Sequence, residues 1–254
     1  MYYLADLLTF ATTLALALSS EQPSRDKFPF GVGERLEYEV AFGPLRVGRG
    51  SMEVVGIEEL RGHQTFHTVF TVKGGTFFYK VDDRLESWLD TTTLASLRFR
   101  QKIREGNRRR ERNFEIYPDR GVFVENDQPE QPTVENPLDD ASFLYFVRTV
   151  PLEIGQTYTF ERYFRPDRNP VTIKVLRQET IRVPAGTFET LVIQPIIKAR
   201  GIFSEKGEAY IWLSNDDRRI MVQMKSKLSF GSLNLYLTSH RPPTAAAAAA
   251  PPTP

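Results

Sequence analysis

Three groupings of side chains in this 254-residue sequence are of types that could do chemistry, and spacing limits each of them. His63 and His67 form an H-x3-H pair. On a helix that spacing brings two imidazoles to one metal ion. Thr65 to Val72, however, is rich in β-branched and aromatic residues and reads as strand. Four residues along a strand span about 13 Å. Two nitrogens each about 2.0 Å from one zinc ion cannot be that far apart. No metal site is therefore expected, and His240 has no evident partner. Asp82-Asp83, Asp139-Asp140 and Asp216-Asp217 are acidic doublets. Glycoside hydrolysis needs two carboxyls about 5–9 Å apart across a sugar. Neighbours on a strand point to opposite faces, so no doublet is itself such a pair. The three read as a turn, a helix cap and a turn. Ser24 and Lys27 fit a short acyl-transfer pattern but lie in a polar stretch behind an apolar leader. There is no G-x-S-x-G elbow and no phosphate-binding glycine loop. No catalytic residue, metal or cofactor is assigned, and a non-enzymatic protein is expected.

The remaining candidates bind rather than react. Arg98, Arg100, Lys102, Arg104, Arg108, Arg109, Arg110 and Arg112 face only Glu105 and Glu111 in the sequence around them. A basic hairpin can meet anionic lipid headgroups or an acidic polysaccharide. Arg98, Arg100, Lys102, Arg104, Arg108 and Arg110 are the candidates for that contact. The plainer reading is a solvated hairpin whose charges blunt a sheet edge. Phe77, Phe78, Trp88, Phe143, Phe146 and Trp212 are candidates to line an apolar cavity. Such a cavity is the default site of an open barrel, and a plain core is the alternative.

Almost every element that would position these residues is a strand. Leu36, Tyr38, Val40 and Phe42 alternate with Glu37 and Glu39. Val47 to Ile57, Thr65 to Val72, Leu85 to Leu89, Leu97 to Arg104 and Arg108 to Tyr117 continue the pattern, with Gly43-Pro44 and Glu105-Gly106-Asn107 as turns. Gly74-Gly75 is expected to break the ladder. One helix is expected, capped by Asp139 or Asp140 and ended by Pro151. Phe143, Phe146, Val147 and Val150 share its face, with Leu144 and Tyr145 off it. Thr157 to Phe164, Val171 to Val183, Phe188 to Lys198, Glu208 to Leu213, Ile220 to Leu228 and Leu233 to Leu237 are strands again. Phe188 to Ile197, apolar on both faces, should be central. No repeat of fixed period is visible. The expected fold is all-β and mainly antiparallel, a large curved sheet or open barrel with one central helix.

Formal charge is +1, so global charge selects no partner, and nucleic acid is not expected. There is no cysteine, which removes disulfides, thiolate nucleophiles and a lipid-modified N-terminal cysteine. Leu7 to Leu18 is apolar and Ser19-Ser20 small, a signal-peptide pattern, although no Lys or Arg precedes Arg25. The expected organisation is a signal peptide at 1–20, a linker at 21–29, one β domain at 30–240 and a disordered Pro/Ala tail at 241–254. The expected place is periplasmic or secreted.

Val183-Pro184-Ala185-Gly186-Thr187-Phe188 and Trp212-Leu213-Ser214-Asn215-Asp216-Asp217-Arg218-Arg219 are specific as a set. With Gly33-Glu34-Arg35-Leu36-Glu37-Tyr38, Val47-Gly48 and Tyr79-Lys80-Val81-Asp82-Asp83, they resemble the bacterial exported family known as domain of unknown function 3108. The resemblance spans Phe30 to Leu237 and implies an exported, mostly β protein with no established activity. Its layout is more loosely similar to the half-barrels of periplasmic lipoprotein carriers. Both motifs also read as tight turns between strands. The expected function is an exported binding protein of the cell envelope for a lipid or other apolar molecule, with peripheral membrane contact. The alternatives are an envelope protein-interaction module and, third, a glycan hydrolase with dispersed carboxylates.

Overall fold

The computed structural model describes residues 28–75, 80–197, 208–228 and 231–244. The expected signal peptide, the linker up to Lys27, Phe77, Phe78 and the tail from residue 245 lie outside these residues. Fourteen strands occur among the described residues: β1 (Arg35–Phe42), β2 (Leu45–Leu60), β3 (His63–Gly75), β4 (Lys80–Asp90), β5 (Ser96–Glu105), β6 (Arg108–Tyr117), β7 (Val122–Glu125), β8 (Gln131–Pro132), β9 (Thr157–Phe160), β10 (Val171–Val183), β11 (Gly186–Ile196), β12 (Glu208–Ser214), β13 (Met221–Leu228) and β14 (Gly231–Arg241). All join one antiparallel sheet in the order β8-β7-β6-β5-β4-β3-β2-β1-β14-β13-β12-β11-β10-β9. Laid flat, fourteen strands would be roughly 65 Å wide. Yet Phe123 of β7, Val40 of β1 and Ile173 of β10 belong to one buried cluster, so the sheet curls around a single core. Period-two alternation does this work: Leu36, Tyr38 and Val40 turn inward while Glu37 is exposed.

Gly74 and Gly75 do not break the ladder. They pair with Val81 and Lys80, and Gly74 also faces Gly48. A Cβ on Gly48 would strike the Lys73 carbonyl, and one on Gly74 the Val47 carbonyl. The glycines therefore allow a close approach of β2 and β3. β4 accordingly begins at Lys80, not Leu85, and Asp82-Asp83 is strand rather than turn. β11 is interior but not central, two strands from the β9 edge. Residues 28–29 of the expected linker and 241–244 of the expected tail are described, and they contact the sheet domain. Phe28 stacks on Phe30 at 5.5 Å. Beyond β14, the Thr244 N–H donates to the Val32 carbonyl. Both segments thus belong to the domain.

The helix is shorter than the apolar run suggests. α1 covers only Ser142–Phe146, and Val147–Thr149 continues as a single 3-10 turn. Leu144 and Tyr145 are as buried as Phe143, because α1 sits inside the curl of the sheet rather than across its mouth. Its far end carries Arg148, which is fully buried. The Arg148 guanidinium donates to both Glu34 oxygens at 2.7 and 2.8 Å, and to the carbonyls of Pro29 and Arg218 at 2.8 Å each. Burial raises the Glu34 carboxyl, but the bonds from Arg148, with His240 Nε2 3.5 Å away, outweigh it and hold Glu34 below its usual value. Breaking a buried pair strands a charge. Arg148→Met is expected to lower stability by about 3–5 kcal/mol, and Glu34→Gln combined with Arg148→Met to recover part of that loss, read from urea unfolding midpoints.

Candidate functional site

The aromatic candidates fall into two separate places. Phe143 and Phe146 are inside, 1% and 7% exposed, in the continuous core. Phe146 meets Phe160 edge-on at 5.0 Å. Trp88 and Trp212 are on the outer face. Ser87 and Leu89, and likewise Ile211 and Leu213, point inward on either side of them. Trp88 forms a small cluster of its own with Leu60, Ala95 and Leu97. The four described candidates therefore do not meet in one place, and Phe77 and Phe78 lie outside the described residues. Two pockets are lined by described residues. One is a shallow depression bounded by Val134, Asn136 and Arg162. The other, about 270 Å³, is lined by Arg61, His63, Asp90, Tyr117 and Arg120 among others. Neither reaches Phe143 or Phe146.

Asp139 fixes α1 to the sheet. The Ser87 and Ser96 hydroxyls donate to one carboxylate oxygen, each at 2.5 Å. The Ala141 and Ser142 N–H groups donate to the other, each at 2.8 Å. This is the cap expected of Asp139, extended into β4 and β5. Burial pushes the Asp139 carboxyl up to about 6 despite these four bonds. Burial also raises Asp140, which accepts from Tyr163 at 2.8 Å and Gln101 at 3.0 Å. The serine partners carried no sequence signal, since nothing in their spacing points to a residue some fifty positions away. Arg148 did carry one, as a cation inside an apolar run.

The two histidines serve different neighbours on the outer face. His63 Nδ1 is 2.9 Å from Asp90. His67 Nδ1 is 2.8 Å from Glu58 and its Nε2 3.0 Å from Glu86, with the ring stacked on Trp88 at 4.3 Å. Trp88 Nε1 donates to Glu58 at 2.6 Å, and that bond chiefly holds Glu58 below its usual value. The Arg98 and Arg100 guanidinium groups lie 5.4 and 5.1 Å from the Trp88 ring.

The basic hairpin forms as expected, with Arg104 opposite Arg109 and Glu105 opposite Arg108. Register divides its charges between faces. Gln101 reaches inward to Asp140, so Arg112 and Arg110, which share its face, point to the inner side, as does Arg108. Arg98, Arg100, Lys102, Arg104 and Arg109 point outward. Arg98 is paired with Glu115 at 2.5 Å and Lys102 with Glu111 at 3.6 Å. Arg100, Arg104, Arg108, Arg109 and Arg110 are exposed and have no carboxylate partner among the described residues. Several arginines of other strands do have one, as in Arg84–Glu86 and Arg177–Glu179.

The curled open sheet with an inward helix defines an open, β-barrel-like protein. The chain belongs to the family described as protein of unknown function DUF3108, whose model matches residues 37–238. It is similar to the β-barrel-like protein of domain of unknown function DUF1849 from Brucella abortus, at 11% identity and a TM-score of 0.52 over 85% of this chain and 99% of that one. At that identity the likeness is one of fold. A candidate lipoprotein from Parabacteroides distasonis aligns at 13% identity over 84% of this chain and 98% of its own, with a TM-score of 0.38. No curated protein matches the sequence.

A carboxyl raised from 3.8 to about 6 binds its proton more tightly in the folded chain. Its contribution is fully present below about pH 4 and is lost as pH rises through about 6, to the extent of roughly 3 kcal/mol. Asp139→Asn is expected to remove that slope, so that the stability difference between variant and wild type shifts in favour of the variant from pH 4 to 7. Urea titrations at stepped pH measure it. A difference that stays constant with pH would refute the assignment.

Proposed function

We propose that this chain is an exported, non-enzymatic binding protein of the bacterial cell envelope that holds an anionic lipid or similar amphiphile at its β5–β6 hairpin. The observation that carries the reading is the concentration on one hairpin of five exposed arginines without a carboxylate partner, where arginines such as Arg84 and Arg177 on other strands have one. Cations without a carboxylate partner keep their charge available for phosphate or carboxylate headgroups. Behind them, Val81 and Leu85 of β4 are only partly buried and pack on the core. Val81 lies opposite Glu105, and Leu85 opposite Gln101. An amphiphile meeting the arginines thus has aliphatic carbon close by. The apolar leader at Leu7 to Leu18 supports export. The binding surface is the hairpin rather than a cavity at α1, because Phe143 and Phe146 are packed within the core.

Vesicle flotation tests the reading. The protein is expected to float with vesicles of phosphatidylglycerol and phosphatidylcholine and not with phosphatidylcholine alone, and 0.5 M salt should release it. Arg104→Glu, Arg109→Glu and Arg110→Glu together should weaken binding by roughly a hundredfold, at about 1 kcal/mol per cation near the surface. Equal binding of the triple variant would sink the proposal. Failure of the wild type to float would turn the search to an envelope protein as partner.

A further inference from the structure

The fixings of the sheet occur twice. Gly33 has φ +83° and its N–H donates to Val54, whose own N–H donates to Glu34. Gly155 has φ +85° and its N–H donates to Val175, whose N–H donates to Gln156. A bulge follows at once in each strand, between Val54 and Gly56 in β2 and between Val175 and Arg177 in β10. Three residues after the bulged position come Glu58 and Glu179. The buried Thr65 hydroxyl donates to the Glu58 carbonyl at 2.7 Å, and the buried Thr190 hydroxyl to the Glu179 carbonyl at 2.6 Å. The indole of Trp88 donates to the Glu58 side chain, and that of Trp212 to the Glu179 side chain. Each tryptophan is followed by a second bulge and has a cation near its ring, Arg100 at 5.1 Å and Lys225 at 5.3 Å. The next turn closes with Asp90 N–H donating to Ala95 in one case and Ser214 N–H to Ile220 in the other, both at 2.8 Å, with left-handed Leu94 and Arg219.

The sheet order agrees. Strands β6 to β1 and then β14 to β9 lie side by side in the same sense. Phe28-Pro29-Phe30-Gly31-Val32-Gly33-Glu34 even matches Val150-Pro151-Leu152-Glu153-Ile154-Gly155-Gln156 in character. Bulges are specific local features, and two of them falling at matching places, each with the same side-chain bonds beside it, is not a product of generic β structure.

We infer that the chain is a tandem duplication of a six-stranded unit, β1–β6 and β9–β14, and that the first copy has diverged at inward positions to seat the segment joining the two. Register identifies the divergence. Inward Thr68 and Ser87 lie opposite each other, as do Ile193 and Ile211 of the second copy. Ser96 lies opposite Leu89, as Met221 lies opposite Leu213. All six are buried. The second copy shows that the fold accepts apolar side chains at these places. The first copy has hydroxyls there, and those of Ser87 and Ser96 donate to Asp139 of the joining segment. At Glu34, where the second copy has Gln156, the carboxylate holds Arg148 of the same segment. Within the sheet the two serine hydroxyls have only long contacts, 3.5 Å to each other and 3.4 Å from Ser96 to the Arg98 carbonyl, against 2.5 Å to Asp139, so the segment supplies their good partner. They are positioning residues for α1, and the sheet does not need them.

Amide hydrogen exchange on the full chain tests this. In Ser87→Ala combined with Ser96→Ala, the amides of Ser142 to Phe146 should exchange about tenfold faster or more, the scale of lost hydrogen bonds to a charged group. Those of β10 to β14 should keep wild-type rates. Uniform acceleration over both copies, or none anywhere, would overturn the seating assignment. Should that variant not fold, Asp139→Asn, which retains both hydroxyls, is read in the same way. The duplication itself is checked by Thr65→Val and Thr190→Val. Equivalent positions should lower the thermal midpoint by amounts within about twofold of each other, as the loss of one buried hydrogen bond predicts for both; a larger gap overturns the equivalence.

Discussion

Asp139 carries a carboxylate into a space that water does not reach, and the middle of the molecule is arranged around satisfying it. Two serine hydroxyls and two backbone N–H groups converge on its oxygens. Those donors come from β4, from β5 and from the first turn of α1, so one residue binds the helix to the sheet. At the other end of the segment, Arg148 does the same with Glu34. A five-residue helix has almost no stability of its own. It persists because it is held at both ends, and Phe143 to Val147 are then packed by the strands around them.

That dependence explains what could be read from the sequence. Strand alternation is a local signal, and Val171–Val183 appears in the structure with the bounds its residues suggest. The hairpin at Gly106-Asn107 was equally plain. The extent of α1 was not, since apolar residues at helical spacing give burial without saying whether neighbours supply the hydrogen bonds. Gly74-Gly75 looked like an interruption because glycine weakens a strand in isolation. Its reason lies in Gly48 on the facing strand. The basic hairpin was visible as composition, but its division into outward and inward cations required the pairing with Gln101 and Glu111.

The duplication was hidden for a physical reason too. Equivalent residues do not keep a fixed spacing, because the turn at Pro184-Ala185 is built differently from the one at Arg61-Gly62. What the copies share is geometry: a bulge, a threonine hydroxyl on a glutamate carbonyl, an indole on that glutamate. Side chains at those points can be recognised only when the strands are laid side by side. Comparison of the copies separates residues that any such sheet needs from those this protein has acquired. Thr65 and Trp88 fall in the first group, and Ser87, Ser96 and Glu34 in the second.

The chain contains only two tryptophans, and each belongs to one copy. Each indole is almost excluded from solvent, is anchored to a glutamate and has a cation near its ring. The protein therefore has one optical reporter in each half, in matched surroundings. Its intrinsic fluorescence is the sum of two similar signals rather than one average. Replacing either indole by phenylalanine leaves a probe of the other half alone. Whether the two halves melt as one body or in sequence can thus be seen with light, without attaching a label.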